Sequence, residues 1–427
     1  MNSLIRRHFL QLSALLGAGV VTAGVLPGLR AAASPSNKIR VGVMGLARGL
    51  RMTENCMAIP GVEVAYVCDP DQHRVEEGLA LLQPKQTARI KGVQDFRHVL
   101  DDPSVDVVII ATTHFWLTPM TMLACAAGKH VYVEKPGSQT AQEAEWIVAS
   151  ARKHRRVVQM GNQRRSAPYI REGIEKVHGG AIGPVRYARC FSTLNRDSIG
   201  IGRAVPVPDW LNYDLWQGPA PERPYKDNNM HHHWHFRWHW GGGELAVTGV
   251  HFLDLARWGL QVDYPLRTTC SGGRYRYHDD QETPDTGVVS YDFGDKGASY
   301  DWSANHLRKG EVLPSVHFYG DNGSLAIYAG YYKHFDLDGR EVANVTGNIG
   351  DAPHFANFVE TIRGNATLNS EIEVGQKSAM LCHLGNIAFR DGRAIDFDPK
   401  TKRIIGNPEA EKKYWSREYR PGWEPKV

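Results

Sequence analysis

Four groups of residues have the types and spacings from which chemistry can be built. Gly45-Leu-Ala-Arg-Gly49 is followed, 24 residues beyond Gly45, by Asp69. Glycine is needed where backbone must approach a pyrophosphate, and the amides of a following helix N-terminus donate to it. Glu134-Lys135-Pro136 places a lysine beside a proline that stiffens its loop, a setting suited to handling a proton, though a surface lysine paired with Glu134 would read the same. His251 opens an amphipathic stretch, with Asp254 on the same helical face. An imidazole there can take a hydroxyl proton, or simply cap the helix or fill the core. The fourth group is Met230-His-His-His-Trp-His-Phe-Arg-Trp-His-Trp240, with five histidines and three tryptophans.

The elements around these residues follow a pattern. Lys38–Met44 is a short β-rich run, followed by the glycine turn, a helical stretch over Met52–Ile59 and a second strand, Glu63–Cys68, that ends at Asp69. Then come a helix over Gln72–Leu82, a strand over Val105–Ile110, a helix over Thr118–Ala127 and a strand over His130–Val133. This alternation predicts an α/β fold, a Rossmann-type doubly wound parallel sheet. Ligands in such sheets bind at the carboxyl ends of the strands, where Asp69, Thr112-Thr113-His114 and Glu134-Lys135 fall. Gly45, Arg48, Gly49, Asp69, Thr112, His114, Glu134 and Lys135 are therefore the expected cofactor contacts. Asp69 would accept hydrogen bonds from an adenosine ribose and disfavours a 2′-phosphate, so NAD is expected. His73 and Arg74 keep NADP open.

Length and composition bound the rest. The 427 residues suggest two domains. Lys and Arg total 50 against 46 Asp and Glu, and Arg6, Arg7 and Arg30 lie in the first 33 residues. The remainder is nearly neutral and has no field with which to hold nucleic acid. Six cysteines show no Cys-x-x-Cys spacing, and no metal is expected. Arg6-Arg7, the moderately apolar run from Leu12 to Leu26 and Ala31-Ala32-Ala33 resemble a twin-arginine signal peptide over residues 1–33. That implies export, periplasmic or otherwise, with no stable membrane insertion after cleavage. No later stretch is apolar enough to cross a bilayer.

Gly128-Lys-His-Val-Tyr-Val-Glu-Lys-Pro136, set after a Rossmann half, resembles the Gfo/Idh/MocA oxidoreductases. The likeness continues through Gln159-Met-Gly-Asn-Gln-Arg-Arg165, Trp216-Gln-Gly-Pro-Ala-Pro221, Gly249–Trp258, Tyr319–Leu325 and His354–Arg363. It implies a nucleotide-binding domain over 38–161 and an α/β domain with a large open, mostly antiparallel sheet over 162–399, often used for homo-oligomerisation. Residues 400–427 are expected to form an extended tail. The resemblance also implies a small-molecule sugar or cyclitol substrate, with Lys135 and His251 catalytic and Gln163 on the cofactor. Arg164, His233, His235 and Asp254 are expected on the substrate.

Two departures stand out. Val247 replaces the aspartate that inositol dehydrogenase relatives carry four residues before this histidine, and His114-Phe-Trp-Leu117 stands where many relatives read Asp-x-x-His. His231, His233 and His235 alternate as on a strand face, open to sugar contact, metal binding or packing. Tyr275, Tyr277 and the acidic stretch 279–282 are further candidates for the cleft. The resemblance implies a sugar oxidoreductase, and the expected export implies a tightly held nicotinamide. The alternative is an NAD-dependent glycoside hydrolase acting by transient oxidation, elimination and re-reduction. The Tyr-Pro-Thr-His-Gly pattern associated with such glycosidases is absent.

Overall fold

Between residues 39 and 160 the alternation resolves into β1 (Ile39–Met44), β2 (Val62–Cys68), β3 (Lys91–Val93), β4 (Val107–Ile110), β5 (His130–Val133) and β6 (Val158–Met160). All pairs are parallel, in the order β3-β2-β1-β4-β5-β6. The strands are joined through α1 (Leu46–Met57), α2 (Gln72–Leu82), α3 (Arg97–Asp101), α4 (His114–Ala126) and α5 (Ala141–Lys153). Helices cover both faces, which is why Val107-Val-Ile-Ile110 can be apolar at every position and fully buried. The strand order reverses between β1 and β4, and that switch point opens a crevice at their carboxyl ends.

Our computed structural model describes residues 38–194, 196–303 and 312–426. The expected signal segment lies outside them. Among the described residues no helix is long and apolar enough to cross a membrane.

Two helices start earlier than their sequence pattern suggests. α1 begins at Leu46 rather than Met52, because Gly45, at φ +92°, turns the strand directly into the helix. A side chain at Gly45 would meet the Ala111 carbonyl oxygen at 2.5 Å, so only glycine fits. α4 begins at His114 rather than Thr118 and so contains Pro119. Proline cannot donate to the carbonyl four residues back. That carbonyl, Phe115 O, is taken by Arg417 Nη2 at 2.8 Å, and the helix survives its proline.

The second sheet has ten strands: β7 (Val185–Thr193), β8 (Arg267–Gly273), β9 (Thr286–Asp292), β10 (Gly297–Ser303), β11 (Val316–Gly320), β12 (Gly323–Ile327), β13 (Tyr331–Phe335), β14 (Glu341–Thr346), β15 (Ile395–Asp398) and β16 (Arg403–Ile405). Their order is β14-β13-β12-β11-β7-β10-β9-β8-β15-β16, with β7 and β10 the parallel pair. The accompanying helices are α6 (Pro168–His178), α7 (Tyr213–Gln217), α8 (Val250–Leu260), α9 (Ala352–Ile362), α10 (Ile372–Asp391) and α11 (Pro408–Tyr414). α8 and α10 cover one face of this sheet, and α10 also packs on α5.

The 161/162 boundary is not a clean cut. α9 returns to the first sheet, where Phe355 stacks on Tyr132 of β5 at 4.3 Å and Phe358 meets the same ring edge-on. The described residues, from 38 onward, form one compact unit. Nor is the segment after 400 extended throughout, since it supplies β16 and α11 before it straightens. Beyond Trp415 it straps the first sheet's helices: Arg417 and the Tyr419 hydroxyl meet on the fully buried Glu143 carboxylate at 2.8 and 2.5 Å. All six cysteines are free thiols, and five are buried.

Candidate active site

The crevice at the switch point is a cleft of about 510 Å³. Gly45, Arg48, Asp69, Thr112, His114, Glu134, Lys135, His235 and His251, all anticipated from the sequence, line it together. Other anticipated residues do not.

The nucleotide half is built by backbone. α1 has no side-chain cap from Gly45 and no acid in its first turn; the Gly45 amide goes to Cys68 O and the Leu46 amide to Asp69, which leaves the next amides of the first turn at the cleft for an anion. Asp69 accepts from the Leu46 and Asp71 amides at 2.8 and 3.0 Å. Burial nevertheless outweighs those bonds and raises its pKa to about 6. Arg48 is braced by Asp351 at 2.6 Å and by Glu134 at 3.8 Å, which ties the glycine turn to the end of β5. An uncapped helix start, a glycine without room for Cβ and an acid at the end of β2 fit a dinucleotide.

Lys135 sits at the other end of the cleft, before a cis peptide to Pro136. Its loop is fastened to α10: Gln376 Nε2 donates to Pro136 O at 3.0 Å, and Ser138 Oγ contacts both Gln376 Oε1 at 2.6 Å and His383 Nε2 at 2.8 Å. Lys135 Nζ donates to Val247 O at 2.7 Å. That carbonyl belongs to a π-helical turn, Leu245–Gly249, that leads into α8. The position where relatives carry an aspartate thus holds the lysine through its main chain. Burial lowers the Lys135 pKa, against the pull of Glu134 and Glu244.

His251 stands on the first turn of α8. Burial first, then the charges of Lys135, Arg164 and Arg48, hold its pKa well below 6.5. The ring is held neutral, and its buried Nδ1 has no partner among the described residues. His114, on the first turn of α4, is likewise buried and neutral, with Nδ1 unpartnered.

The His/Trp segment is not a strand. Residues His233–Phe236 form a 3₁₀ turn, so alternate histidines go to different partners. His231 Nε2 meets Asp71 Oδ2 at 3.0 Å. His233, expected on substrate, instead donates from Nδ1 to Asn228 O at 3.3 Å, away from the cleft. His235 enters the cleft, stacked on Trp234 at 3.5 Å and edge-on to His114 at 5.3 Å. The acidic stretch braces this segment from behind, with Asp280 on Arg237 at 3.3 Å and Glu282 on the Trp238 amide at 2.8 Å. Among the described residues no three His, Cys, Asp or Glu side chains are arranged to hold a metal ion.

Four further expectations are corrected by burial. Asp254 does not touch the cleft, because its carboxylate is held two-handed by Arg165 at 2.8–3.0 Å and by Ser378 Oγ at 2.6 Å. Arg164 lies behind the wall, over the Phe252 ring at 4.8 Å and donating to Ser315 Oγ at 3.2 Å. Gln163 positions Glu134 at 3.0 Å instead of lining the cleft. Gly49 faces Val43, letting α1 lie close on its sheet.

Sequence reasoning offered the His/Trp run as a substrate-lining segment without saying that His231, His232 and Trp234 reach the cleft, and it missed Trp216 and the Val247 carbonyl as cleft walls. All belong to segments that only the fold returns to the switch point, and the crowding of histidines was the one visible signal.

Comparison with known proteins adds the following. Residues 39–162 match the GFO_IDH_MocA model described as "Oxidoreductase family, NAD-binding Rossmann fold", and residues 200–424 match its "C-terminal alpha/beta domain". A relative from Saccharopolyspora erythraea, named a glycosyl hydrolase family 109 protein, is 31% identical over 258 residues. The match covers 53% of this chain and 56% of that protein. The chain therefore spans about half the length of this curated relative. An aldose-aldose oxidoreductase from Caulobacter crescentus shares the fold at a TM-score of 0.64 and 20% identity, over 84% of this chain and all of that one. A levoglucosan dehydrogenase in complex with NADH and levoglucosan does so at 0.66 and 16%, over 84% and 99%.

Proposed function

The chain belongs to the Gfo/Idh/MocA oxidoreductase family, and on that premise we propose that it is an exported enzyme moving a hydride between tightly held NAD and a carbinol carbon of a sugar, glycoside or cyclitol. The observation that carries this reading is the convergence, in one cleft, of a dinucleotide cradle with Lys135 and His251.

The nicotinamide, when bound, supplies the hydride acceptor. The amides of the first turn of α1 would hold its pyrophosphate, with Gly45 allowing the close approach, and Asp69 would take the ribose hydroxyls. The neutral His251 ring accepts the hydroxyl proton of the carbinol, the step without which hydride departure would leave a protonated carbonyl. Lys135 Nζ spends one of its N–H groups on Val247 O and directs the others to the substrate oxygen, where they stabilise developing negative charge. Trp216, Trp234 and Val247 line the cleft with apolar surface and reduce its water. Arg74 also reaches the cleft but is tied to Asp71 at 3.6 Å, so NAD is preferred to NADP.

Export follows from the likeness of residues 1–33 to a twin-arginine signal. Outside the cytoplasm a dissociating cofactor would be lost, so one reset within each cycle fits. A homo-oligomer would use the open sheet face, on which Tyr187, Val288 and Tyr319 are exposed.

The test is to denature protein purified without added nucleotide and identify what it releases. Stoichiometric NAD(H), followed by 340 nm changes with sugars that Lys135→Met abolishes, supports the reading. A protein that is empty and also fails to bind NAD overturns it. The similarity to a family 109 glycosyl hydrolase favours a second reading, hydride-cycling glycoside hydrolysis. It would show as glycoside cleavage without net change at 340 nm.

A further inference from the structure

Moving one hydride and one proton requires one base, and His251 fills that role. The cleft nevertheless contains a second imidazole in a defined tautomer. His235 Nδ1 lies 2.6 Å from the carbonyl oxygen of His232, which can only accept. The ring proton is therefore fixed on Nδ1, and Nε2 carries the lone pair. Trp234 stacked on one side and His114 edge-on hold the ring in place. Nε2 has no hydrogen-bond partner among the described residues. Burial, with His114 and His232 as neighbours, keeps this ring neutral.

We propose that His235 is the base that removes the proton from the carbon next to a sugar ketone held in this cleft. This rests on the hydride-transfer reading, since that transfer makes the ketone. The step balances without an outside reagent. The C–H bond beside the carbonyl breaks, its proton goes to Nε2, and its electron pair forms an enolate whose oxygen Lys135 Nζ stabilises. Where an alkoxy group stands on the next carbon, the pair collapses, the C–OR bond breaks, and the departing alkoxide takes the proton back from the His235 imidazolium. The products are an unsaturated ketosugar and an alcohol, with no net redox change.

The test bypasses hydride transfer. A 4-nitrophenyl glycoside already oxidised to the ketone at C3 is incubated in D₂O with the protein as purified. Deuterium at C2 and release of 4-nitrophenol are followed above the buffer rate. The wild type should accelerate both, and His235→Gln should lose about 10²- to 10⁴-fold of that acceleration. His235→Ala should recover part of it with added imidazole. Both variants should keep the wild-type unfolding midpoint in calorimetry, which reports an intact fold. Absence of exchange in the wild type, undiminished exchange in His235→Gln, or parallel loss of every signal without imidazole rescue would each overturn the assignment. Exchange that depends on His235 in a protein that reduces no ketone would uphold it while refuting the hydride-transfer reading.

Discussion

Replacing Asp254 by Asn should damage the protein's stability and leave its cleft intact, contrary to what the residue's place beside His251 suggests in the sequence. Its side chain is 1% exposed and that of Arg165 8%, so the pair lies in a region that water does not screen. The carboxylate also accepts from Ser378 Oγ, which in turn receives Arg257 Nε at 2.9 Å, so one negative charge serves two buried arginines. Removing one partner of a buried pair costs about 3–5 kcal/mol. Trp258, 5.0 Å from the Arg165 guanidinium, and the remaining amide oxygen of Asn soften this toward about 3 kcal/mol. At about 2.1 cal/mol/K per residue, a cooperative unit of this length has an unfolding entropy near 0.8 kcal/mol/K, so the midpoint should fall by roughly 4 °C. Differential scanning calorimetry reads the shift, and NADH titration by fluorescence reads the cleft. Affinity should remain within about twofold. An unchanged midpoint, or an intact midpoint with weakened nucleotide or sugar binding, would refute the structural assignment of Asp254.

Other outcomes follow from the same geometry. With the free Asp69 carboxyl at about 6, and ribose hydroxyls bonding best to its ionised form, the bound pKa must lie lower. NAD affinity should then hold above pH 6 and weaken by up to tenfold per unit below it, in calorimetric titrations from pH 7.5 to 5. Asp69→Asn should flatten that profile. His231→Ala removes the contact at 3.0 Å that fastens the His/Trp segment to Asp71 at the rim of the cleft. Stopped-flow should show nucleotide dissociating roughly three- to tenfold faster, as expected for a contact of about 1 kcal/mol whose His231 side chain is 34% exposed. Arg417→Ala strips the guanidinium from the buried Glu143 and leaves Phe115 O without the donor that compensates for Pro119. A loss of about 3 kcal/mol or more is expected in urea unfolding, and an unchanged midpoint would show that the tail is dispensable.

The parallel sheet was legible because its signals are local. Buried strands between helices must be apolar at every position, and a chain that turns at Gly45 against the Ala111 carbonyl admits no other residue. The starts of α1 and α4 were not legible. The first depends on one positive φ angle, and the second on a proline tolerated only through an arginine 298 positions away. Lys135 and His251 could be singled out because each stands at the end of an element aimed at the crevice. His235 could be noticed but not placed, since a run of histidines looks the same on a strand, on a turn or around a metal.

By itself the sequence determined the alternation of strands and helices in the nucleotide-binding half, the glycine cradle with Asp69, and the lysine and histidine at the ends of their elements. These follow from periodicity, turn chemistry and the backbone needs of a bound phosphate, all of which act over a few residues. Only the tertiary structure decided that Asp254 serves Arg165 and that Val247 holds Lys135 through its carbonyl. It also decided that Gly49 faces the sheet and that the His/Trp segment folds over the cleft as a turn. Each of those depends on which partner claims a polar group once water is excluded, and the partners lie up to hundreds of residues apart.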